Sequence, residues 1–133
     1  MCEIAINAGL LQGHSEVDIS GTAAGFVKLA GRVAKVSTGV FSLTPKRNAY
    51  FPVAMSEVSL ELIDQSEGVI AAQIHGTKLM VSGDPLAFQK LAAFLESLPY
   101  VPPGGHFHLD WFSNEDLLAP TTSTMSFIFS VER

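Results

Sequence analysis

The sequence has one cysteine, few charged residues and no long hydrophobic run. A lone cysteine, Cys2, can form neither an internal disulfide nor a cysteine-based zinc site, which favours a reducing compartment. No apolar run approaches the roughly 18 residues that cross a bilayer. The first residues also lack the basic and apolar segments of a secretory signal. We therefore expect a cytoplasmic protein that does not span a membrane.

Basic residues are scarce as well. Eight Lys and Arg stand against thirteen Asp and Glu, a formal charge of -5, and the basic residues do not cluster beyond Lys46-Arg47. Such a chain has no basic stripe to follow a phosphate backbone, so nucleic-acid binding is not expected. Hydrophobic residues make up 47% of the 133 residues. This composition predicts a single folded domain over residues 1–133 with its own core.

Catalytic motifs are missing too. The segments Ile19-Ser20-Gly21 and Val81-Ser82-Gly83 lack the first glycine of a nucleophile elbow. The stretch Gly21-Thr22-Ala23-Ala24-Gly25 lacks the lysine and the length of a phosphate-binding loop. His14 and His75 fall in predicted loops or turns, where histidines are usually exposed rather than catalytic. No catalytic residue and no cofactor is therefore assigned.

An internal duplication organises what is present. Residues 17–36 align with residues 79–98 at an offset of 62, with six identities in twenty positions. The identical pairs are Ser20 with Ser82, Gly21 with Gly83, Phe26 with Phe88, Lys28 with Lys90, Leu29 with Leu91, and Ala30 with Ala92. The alignment predicts two equivalent halves, about 1–66 and 67–133.

Both halves carry helix signals at the aligned positions. An apolar strand ends in Ser-Gly, and the next residue, Thr22 or Asp84, can cap a helix by accepting a hydrogen bond from a free amide. Pro85 suits the first helical position, which needs no amide. Apolar residues then recur at helical spacing. These are Phe26, Leu29, Ala30 and Val33 in one half, and Phe88, Leu91, Ala92 and Leu95 in the other.

Alternating segments on both sides of each helix predict strands. Residues 41–43 align with 107–109, and residues 59–62 with 126–129. Upstream, residues 3–8 resemble 69–74, and each segment is expected to form a hairpin with the strand before its helix. The predicted fold is α+β, with two ββαββ repeats forming an antiparallel sheet and two helices packed on one face.

Ligand-capable side chains cluster between His106 and Trp111. Strand alternation places His106, His108 and Asp110 on one side of the strand. Two imidazoles and a carboxylate are ligands of a divalent metal. However, same-side residues lie about 7 Å apart along a strand, so all three reach one ion only if the strand bends or another ligand joins. The cluster predicts a solvated polar face, a surface for a partner or ligand, or a metal site.

Large aromatic residues lie in or beside the segments where the two halves differ, residues 44–55, 99–105 and 113–124. Such residues anchor interfaces, and they also fill cores at the ends of sheets. Tyr50, Tyr100 and Trp111 therefore join His106, His108 and Asp110 as candidate binding residues.

The second half resembles a known family. The residues that carry the resemblance are Val81-Ser82-Gly83-Asp84-Pro85, Leu91-Ala92, His106-Phe107-His108-Leu109-Asp110 and the strand from Met125 to Val131. Together they resemble immunity protein 32 of bacterial polymorphic toxin systems, from about Gly68 to Val131. The resemblance implies a small cytosolic protein that protects its producer by binding a cognate toxin, without chemistry of its own. The chain departs from this pattern in its second copy of the unit and in the extended loop from Ser113 to Thr124.

Three hypotheses follow. The first is a non-catalytic binding protein of the immunity type, with a protein partner. The second is a metal- or small-ligand-binding enzyme centred on His106, His108 and Asp110. The third is a symmetric homo-oligomer that pairs sheet faces or edge strands, since Ile63 and Ile128 interrupt the polar side of their strands.

Overall fold

The computed structural model describes residues 4–11, 13–35, 38–46, 48–64, 66–102 and 104–132. Cys2 and Arg47, which the sequence analysis singled out, lie outside these residues. The described chain has two α-helices, α1 (Ala23–Ala34) and α2 (Pro85–Ser97), and none of its helices has the length and apolar character needed to cross a membrane. Its strands are β1 (Ile4–Leu11), β2 (His14–Thr22), β3 (Gly39–Ser42), β4 (Val53–Ala54), β5 (Glu57–Leu62), β6 (Ala71–His75), β7 (Lys78–Gly83), β8 (His106–Asp110) and β9 (Met125–Glu132).

The two helices begin at the residues that the sequence predicts. Thr22 Oγ1 accepts a hydrogen bond from the Gly25 amide at 3.0 Å, and Asp84 Oδ1 accepts one from the Ala87 amide at 2.9 Å. Pro85 occupies the start of α2. The predicted apolar positions lie on the buried sides, with Leu91 half-buried against the core.

Asp84 also joins the start of α2 to the segment that precedes β6. Its Oδ2 accepts hydrogen bonds from the amides of Ser66 and Gly68, both at 3.1 Å, and Ser66 Oγ accepts one from the Asp84 amide at 2.8 Å. These hydrogen bonds favour the ionised carboxylate and so lower the pKa of Asp84. The bond from the Ala87 amide has the largest effect, and the bond from the Ser66 amide the next largest. One carboxylate thus fixes both a helix end and a loop.

The strands form two sheets. The five-stranded sheet has the order β4-β1-β2-β9-β8, and the four-stranded sheet has the order β3-β5-β7-β6. Each sheet combines a hairpin from one half of the chain with the later strands of the other half. At the centre of each sheet lies a parallel pair, β2 with β9 and β5 with β7, while the remaining neighbours are antiparallel.

The α+β class is confirmed, and most described neighbouring strands are antiparallel as predicted, but the strands form two mixed sheets, each with one parallel pair. The hairpins β1–β2 and β6–β7 are antiparallel because a short turn returns the chain beside itself. The parallel partners come from opposite halves and are not joined by a turn. Alternation of apolar residues fixes which side of a strand is buried, but it does not identify a distant partner.

The internal duplication stays a prediction. The strand registers nevertheless allow corresponding positions to be compared. Ile6 pairs with Ile19 in β1–β2, and Ala72 pairs with Val81 in β6–β7. Ile19 and Val81 are aligned at the predicted offset of 62. Ile6 and Ala72 therefore hold matching places in the two hairpins.

Buried apolar side chains from both sheets and both helices form one cluster. Phe129 of β9 lies between the helices, with its ring centroid 6.4 Å from that of Phe26 in α1 and 4.9 Å from that of Phe94 in α2. Both helices therefore pack against the same side of the five-stranded sheet, which we call its inner side.

The two helix caps provide a test of this fold. Thr22→Ala removes the hydrogen bond to Gly25 and should reduce the free energy of unfolding by about 1 kcal/mol. Asp84→Ala should reduce it more, because the bonds to Ala87, Ser66 and Gly68 are lost together. Urea unfolding of both variants at pH 7 measures the difference.

The pH dependence of the same variants supplies the control. Because the pKa of Asp84 is lowered, its stabilising effect is present above the pKa of an unfolded Asp, about 3.9, and is lost as the pH falls through the lower folded value. The difference between wild type and Asp84→Ala should therefore shrink in acid. Equal losses in Thr22→Ala and Asp84→Ala at pH 7 would contradict the role given to Asp84.

Candidate functional site

The five-stranded sheet has a polar side that faces away from the core. Val17 and Ile19 of β2 and Phe127 and Phe129 of β9 are buried on the inner side, so the residues between them point outward. We call this opposite side the outer face. Its residues are Glu16, Asp18 and Ser20 of β2, Ser126, Ile128, Ser130 and Glu132 of β9, and His106, His108 and Asp110 of β8.

The outer face joins residues that are far apart in sequence. The strand registers place His108 beside Ile128 and Ile128 beside Asp18, and they place His106 beside Ser130. The histidines come from the second half of the chain and Asp18 comes from the first. This neighbourhood therefore exists only because β2 pairs with β9.

A chain of hydrogen bonds crosses the outer face. Ser130 Oγ donates to Asp18 Oδ1 at 2.9 Å, and His106 Nδ1 lies 3.1 Å from the same Oγ. A hydroxyl has a single proton, so once Ser130 donates to Asp18 its oxygen accepts from Nδ1–H of His106. In a nucleophilic triad the imidazole lies between the hydroxyl and the carboxylate. Here the hydroxyl lies between the other two groups, so the arrangement is not that of an activated serine.

Asp18 is the most deeply covered ionisable group of the outer face. Its side chain is only 6% exposed. Burial raises the pKa of Asp18 above the usual range of a carboxyl, and Glu132 acts in the same direction. The hydrogen bond from Ser130 and the nearby His106 oppose this shift. A carboxylate held with this little solvent makes the folded state less stable at neutral pH than a neutral group of the same shape would.

The other predicted residues of β8 have different surroundings. His108 is exposed, whereas Asp110 Oδ1 accepts a hydrogen bond from the Ser113 amide at 2.9 Å and so closes the turn that follows the strand. Across the sheet, His14 Nε2 lies 3.0 Å from Ser126 Oγ. Among the described residues, no group of three His, Cys, Asp or Glu side chains could hold a metal ion.

The described residues of the segment that precedes β5, 44–46 and 48–54, lie over β1, beside the outer face. Asn7, on the outward side of β1, donates from Nδ2 to the Lys46 carbonyl at 2.7 Å. Lys46 Nζ lies 3.5 Å from Glu132 Oε1, an exposed ion pair that tethers the segment to β9. Asn7 is 2% exposed beneath this segment. The segment therefore borders the outer face on the side opposite β8.

Tyr50 lies in a turn of this segment that is held by two hydrogen bonds to a side chain. Asn48 Oδ1 accepts hydrogen bonds from the amides of Tyr50 and Phe51, at 2.8 and 3.1 Å. The Phe51 ring and the Tyr50 carbonyl pack against Gly9 of β1, which leaves the Tyr50 side chain 87% exposed. A large, exposed aromatic side chain next to a polar surface such as the outer face is a typical anchor of protein interfaces.

The remaining predicted aromatic residues lie elsewhere. Trp111 packs against the hydrophobic core and the Phe112 ring, with centroids 5.0 Å apart. Tyr100 is 89% exposed in the single 3-10 turn that follows α2, Leu98–Tyr100. No contact in the described part of the chain joins Tyr100 to His106 or His108. The structure thus brings Tyr50, His106 and His108 to the borders of one face.

Sequence reasoning missed Asp18 and Ser130 as members of the site. Asp18 stands between two buried apolar residues of a strand, Val17 and Ile19, and a charge at such a position is a signal that could have been used. Nothing in the sequence around Ser130 indicates a role, because that role depends on its hydrogen bond to Asp18 in a distant strand. That hydrogen bond depends on a pairing of strands that the sequence does not reveal.

Comparison with known proteins finds a family model that matches part of the chain. Residues 78–130 match the model of the family described as Immunity protein 32. The matched region begins with β7, contains α2 and β8, and ends in β9. The resemblance predicted from the sequence is confirmed for this region. A search of the curated proteins and a search of the solved structures each found no match.

The electrostatics of Asp18 lead to a prediction with a defined sign. Asp18→Asn keeps the shape of the side chain and an oxygen for the Ser130 hydroxyl, but it removes the covered negative charge. Because the pKa of Asp18 is raised on folding, the variant should be more stable than wild type at pH 7. The gain should disappear in acid, below the ordinary carboxyl pKa of about 3.9, where wild-type Asp18 is neutral in both states. Thermal unfolding from pH 3 to pH 8 measures this.

Ser130→Ala provides the matched control. It removes the hydroxyl that stabilises the Asp18 carboxylate and leaves the charge in place. We expect this variant to lose stability at pH 7, the opposite of Asp18→Asn. If Asp18→Asn were less stable than wild type at pH 7, the carboxylate would be better stabilised than the described contacts indicate.

Proposed function

We propose that this chain is an immunity-type protein that binds a cognate protein toxin and so protects the bacterial cell that makes it. The match of residues 78–130 to the Immunity protein 32 family carries this proposal. Neutralisation by binding requires no reaction at the surface of the protein. The hydroxyl of Ser130 lies between His106 and Asp18, which is not the order of a nucleophilic triad.

We place the toxin contact on the outer face and on Tyr50. Three features support this choice. The face spans three neighbouring strands, β2, β9 and β8, it contains a partly exposed Ile128 among polar groups, and the exposed Tyr50 lies beside it. A partly apolar centre with a polar rim and an aromatic anchor is the usual composition of a protein interface.

The charge of the outer face defines the surface of the toxin that would fit it. Glu16, Asp18, Asp110 and Glu132 contribute carboxylates, whereas Lys46 is the cation in described contact with the face. Surfaces of opposite charge associate faster and discriminate against other partners. A toxin surface with exposed Arg or Lys therefore suits this face. Acting inside the producing cell, the protein would meet the toxin in a reducing cytoplasm.

Co-expression tests the function itself. A candidate toxin gene, taken from the neighbours of the gene for this chain, would be expressed in a bacterial host with and without the chain. We expect growth to be restored by the chain, and we expect a stable complex when the two purified proteins are mixed and separated by gel filtration. A toxin that stays lethal and forms no complex at micromolar concentrations would rule out the proposal.

Tyr50 and Tyr100 test the location of the contact. Both side chains are almost fully exposed, at 87% and 89%, so replacing either with alanine should leave the fold intact. Tyr50→Ala should weaken toxin binding by about 30-fold, the effect of an interface anchor worth about 2 kcal/mol. Tyr100→Ala should change the affinity less than threefold, within the range of a surface residue that makes no contact. Isothermal titration calorimetry measures both, and the reverse order would move the interface to the end of α2.

A further inference from the structure

The four-stranded sheet ends in a strand with an open edge. β6 pairs with β7 on one side, and it is the last strand in the order β3-β5-β7-β6. On its other side the only described pairing is at Ile70, just before the strand, which forms a parallel bridge with Leu118. An edge strand of this kind presents unpaired amides and carbonyls.

The hairpin register shows which backbone groups point to this open edge. His75 and Lys78 flank a two-residue turn, and such a turn is closed by a hydrogen-bonded pair. Hydrogen-bonded and non-hydrogen-bonded pairs alternate along antiparallel strands. The amides and carbonyls of Ala72 and Ile74 therefore point away from β7, toward the open edge.

Ile70 confirms this assignment. It has the same parity as Ala72 and Ile74, and its backbone groups do bond outward. The Ile70 amide donates to the Leu117 carbonyl at 2.8 Å, and the Ile70 carbonyl accepts from the Ala119 amide at 2.8 Å. The pairing then stops. The Ala119 carbonyl, which would be the next acceptor along the edge, accepts instead from the Thr122 amide and hydroxyl at 2.9 and 2.7 Å.

The corresponding edge of the five-stranded sheet is occupied. Ile6 holds the same register in its hairpin as Ala72 does, and the Ile6 carbonyl accepts from the Met55 amide at 2.8 Å. β4 pairs there with Asn7 and Ala8. One hairpin thus has an added strand from its own chain, whereas the described residues provide none for Ala72 and Ile74.

A groove runs along the open edge of β6. It has a volume of about 410 Å³, lies where β6 has no described strand partner, and is lined by Leu10, Ser15 and Met125 from the inner side of the five-stranded sheet and by Thr121 and Thr124. Leu10 is 55% exposed in it. None of the described residues that line it is Asp, Glu, Lys or Arg. The groove therefore combines unpaired backbone groups with an uncharged, partly apolar wall.

We infer that this groove binds an extended, uncharged peptide segment of a protein partner, which adds to β6 as a fifth strand. The backbone of the segment pairs with Ala72 and Ile74, and its alternate side chains face Leu10 and Met125. Strand addition of this type takes its affinity from backbone hydrogen bonds and its specificity from alternate side chains. The site is separate from the outer face, so the inference does not depend on the proposed function.

A synthetic peptide provides a defined probe. The capped peptide with the sequence of residues 51–56, Phe-Pro-Val-Ala-Met-Ser, contains the β4 strand that the chain itself adds to its other hairpin. Titrated into the ¹⁵N-labelled protein, it should cause saturable shifts of the Ala72 and Ile74 amide signals. The same peptide with N-methylated Val and Met cannot donate these bonds, because Val53 and Met55 are the residues whose amides face the partner strand in the β1–β4 pairing. Its affinity should be at least tenfold lower. Equal shifts with both peptides, or no saturation, would overturn the inference.

Two variants at one position isolate the backbone group. Ile74→Pro removes the outward amide, whereas Ile74→Ala removes the side chain and keeps the amide. Peptide affinity should fall at least tenfold in Ile74→Pro relative to Ile74→Ala. The amide spectrum of each ¹⁵N-labelled variant shows whether it keeps the native fold. Equal affinities would exclude the proposed pairing. If the Ala72 and Ile74 signals shifted with protein concentration alone, a second copy of the chain would occupy the edge, and the inference would be wrong.

Discussion

The parallel pairing of β2 with β9 is the interaction on which the rest of this structure depends. It joins the β1–β2 hairpin of the first half to the closing strands β8 and β9 of the second half. The parallel pair of β5 with β7 joins later strands of the first half to the β6–β7 hairpin of the second half. Each sheet contains strands from both halves. Phe129 of β9 packs against both helices, through Phe26 of α1 and Phe94 of α2. The same pairing brings Ser130 to 2.9 Å from Asp18. Fold and candidate site therefore have a common origin.

Local signals were sufficient to predict the helices, the hairpins and the side of each strand that is buried. Thr22 and Asp84 begin helices because a side-chain oxygen next to free amides acts over one turn of chain. The division into two sheets could not be predicted in this way. It depends on which strands meet across more than a hundred residues, as Asp18 and Ile128 do, and alternation does not record a distant partner. His106 and His108 were found as candidates because they lie on one strand, whereas Asp18 became a candidate only once β2 and β9 were seen together.

The two sheets differ in how their first strands are covered, and this difference separates the two proposed surfaces. Residues 44–46 and 48–54 add β4 to β1 and cover Asn7, which restricts the outer face and places Tyr50 at its border. On the other sheet, residues 117–119 pair with Ile70, and the chain then continues into the 3-10 turn Pro120–Thr124, which lies near β6 without a described strand pairing to it. The outer face is acidic and spans three strands, which suits a folded partner. The groove along β6 is uncharged and suits a single strand.

Hydrogen exchange of the chain, alone and in complex with the toxin that we propose as its partner, tests the central claim most directly. The outer face is assembled from both halves, so toxin binding should slow exchange together in residues 48–54 and in β8, with little change along α1 and α2. Protection confined to the helices, or to one of these two segments alone, would contradict a binding face built by the β2–β9 pairing.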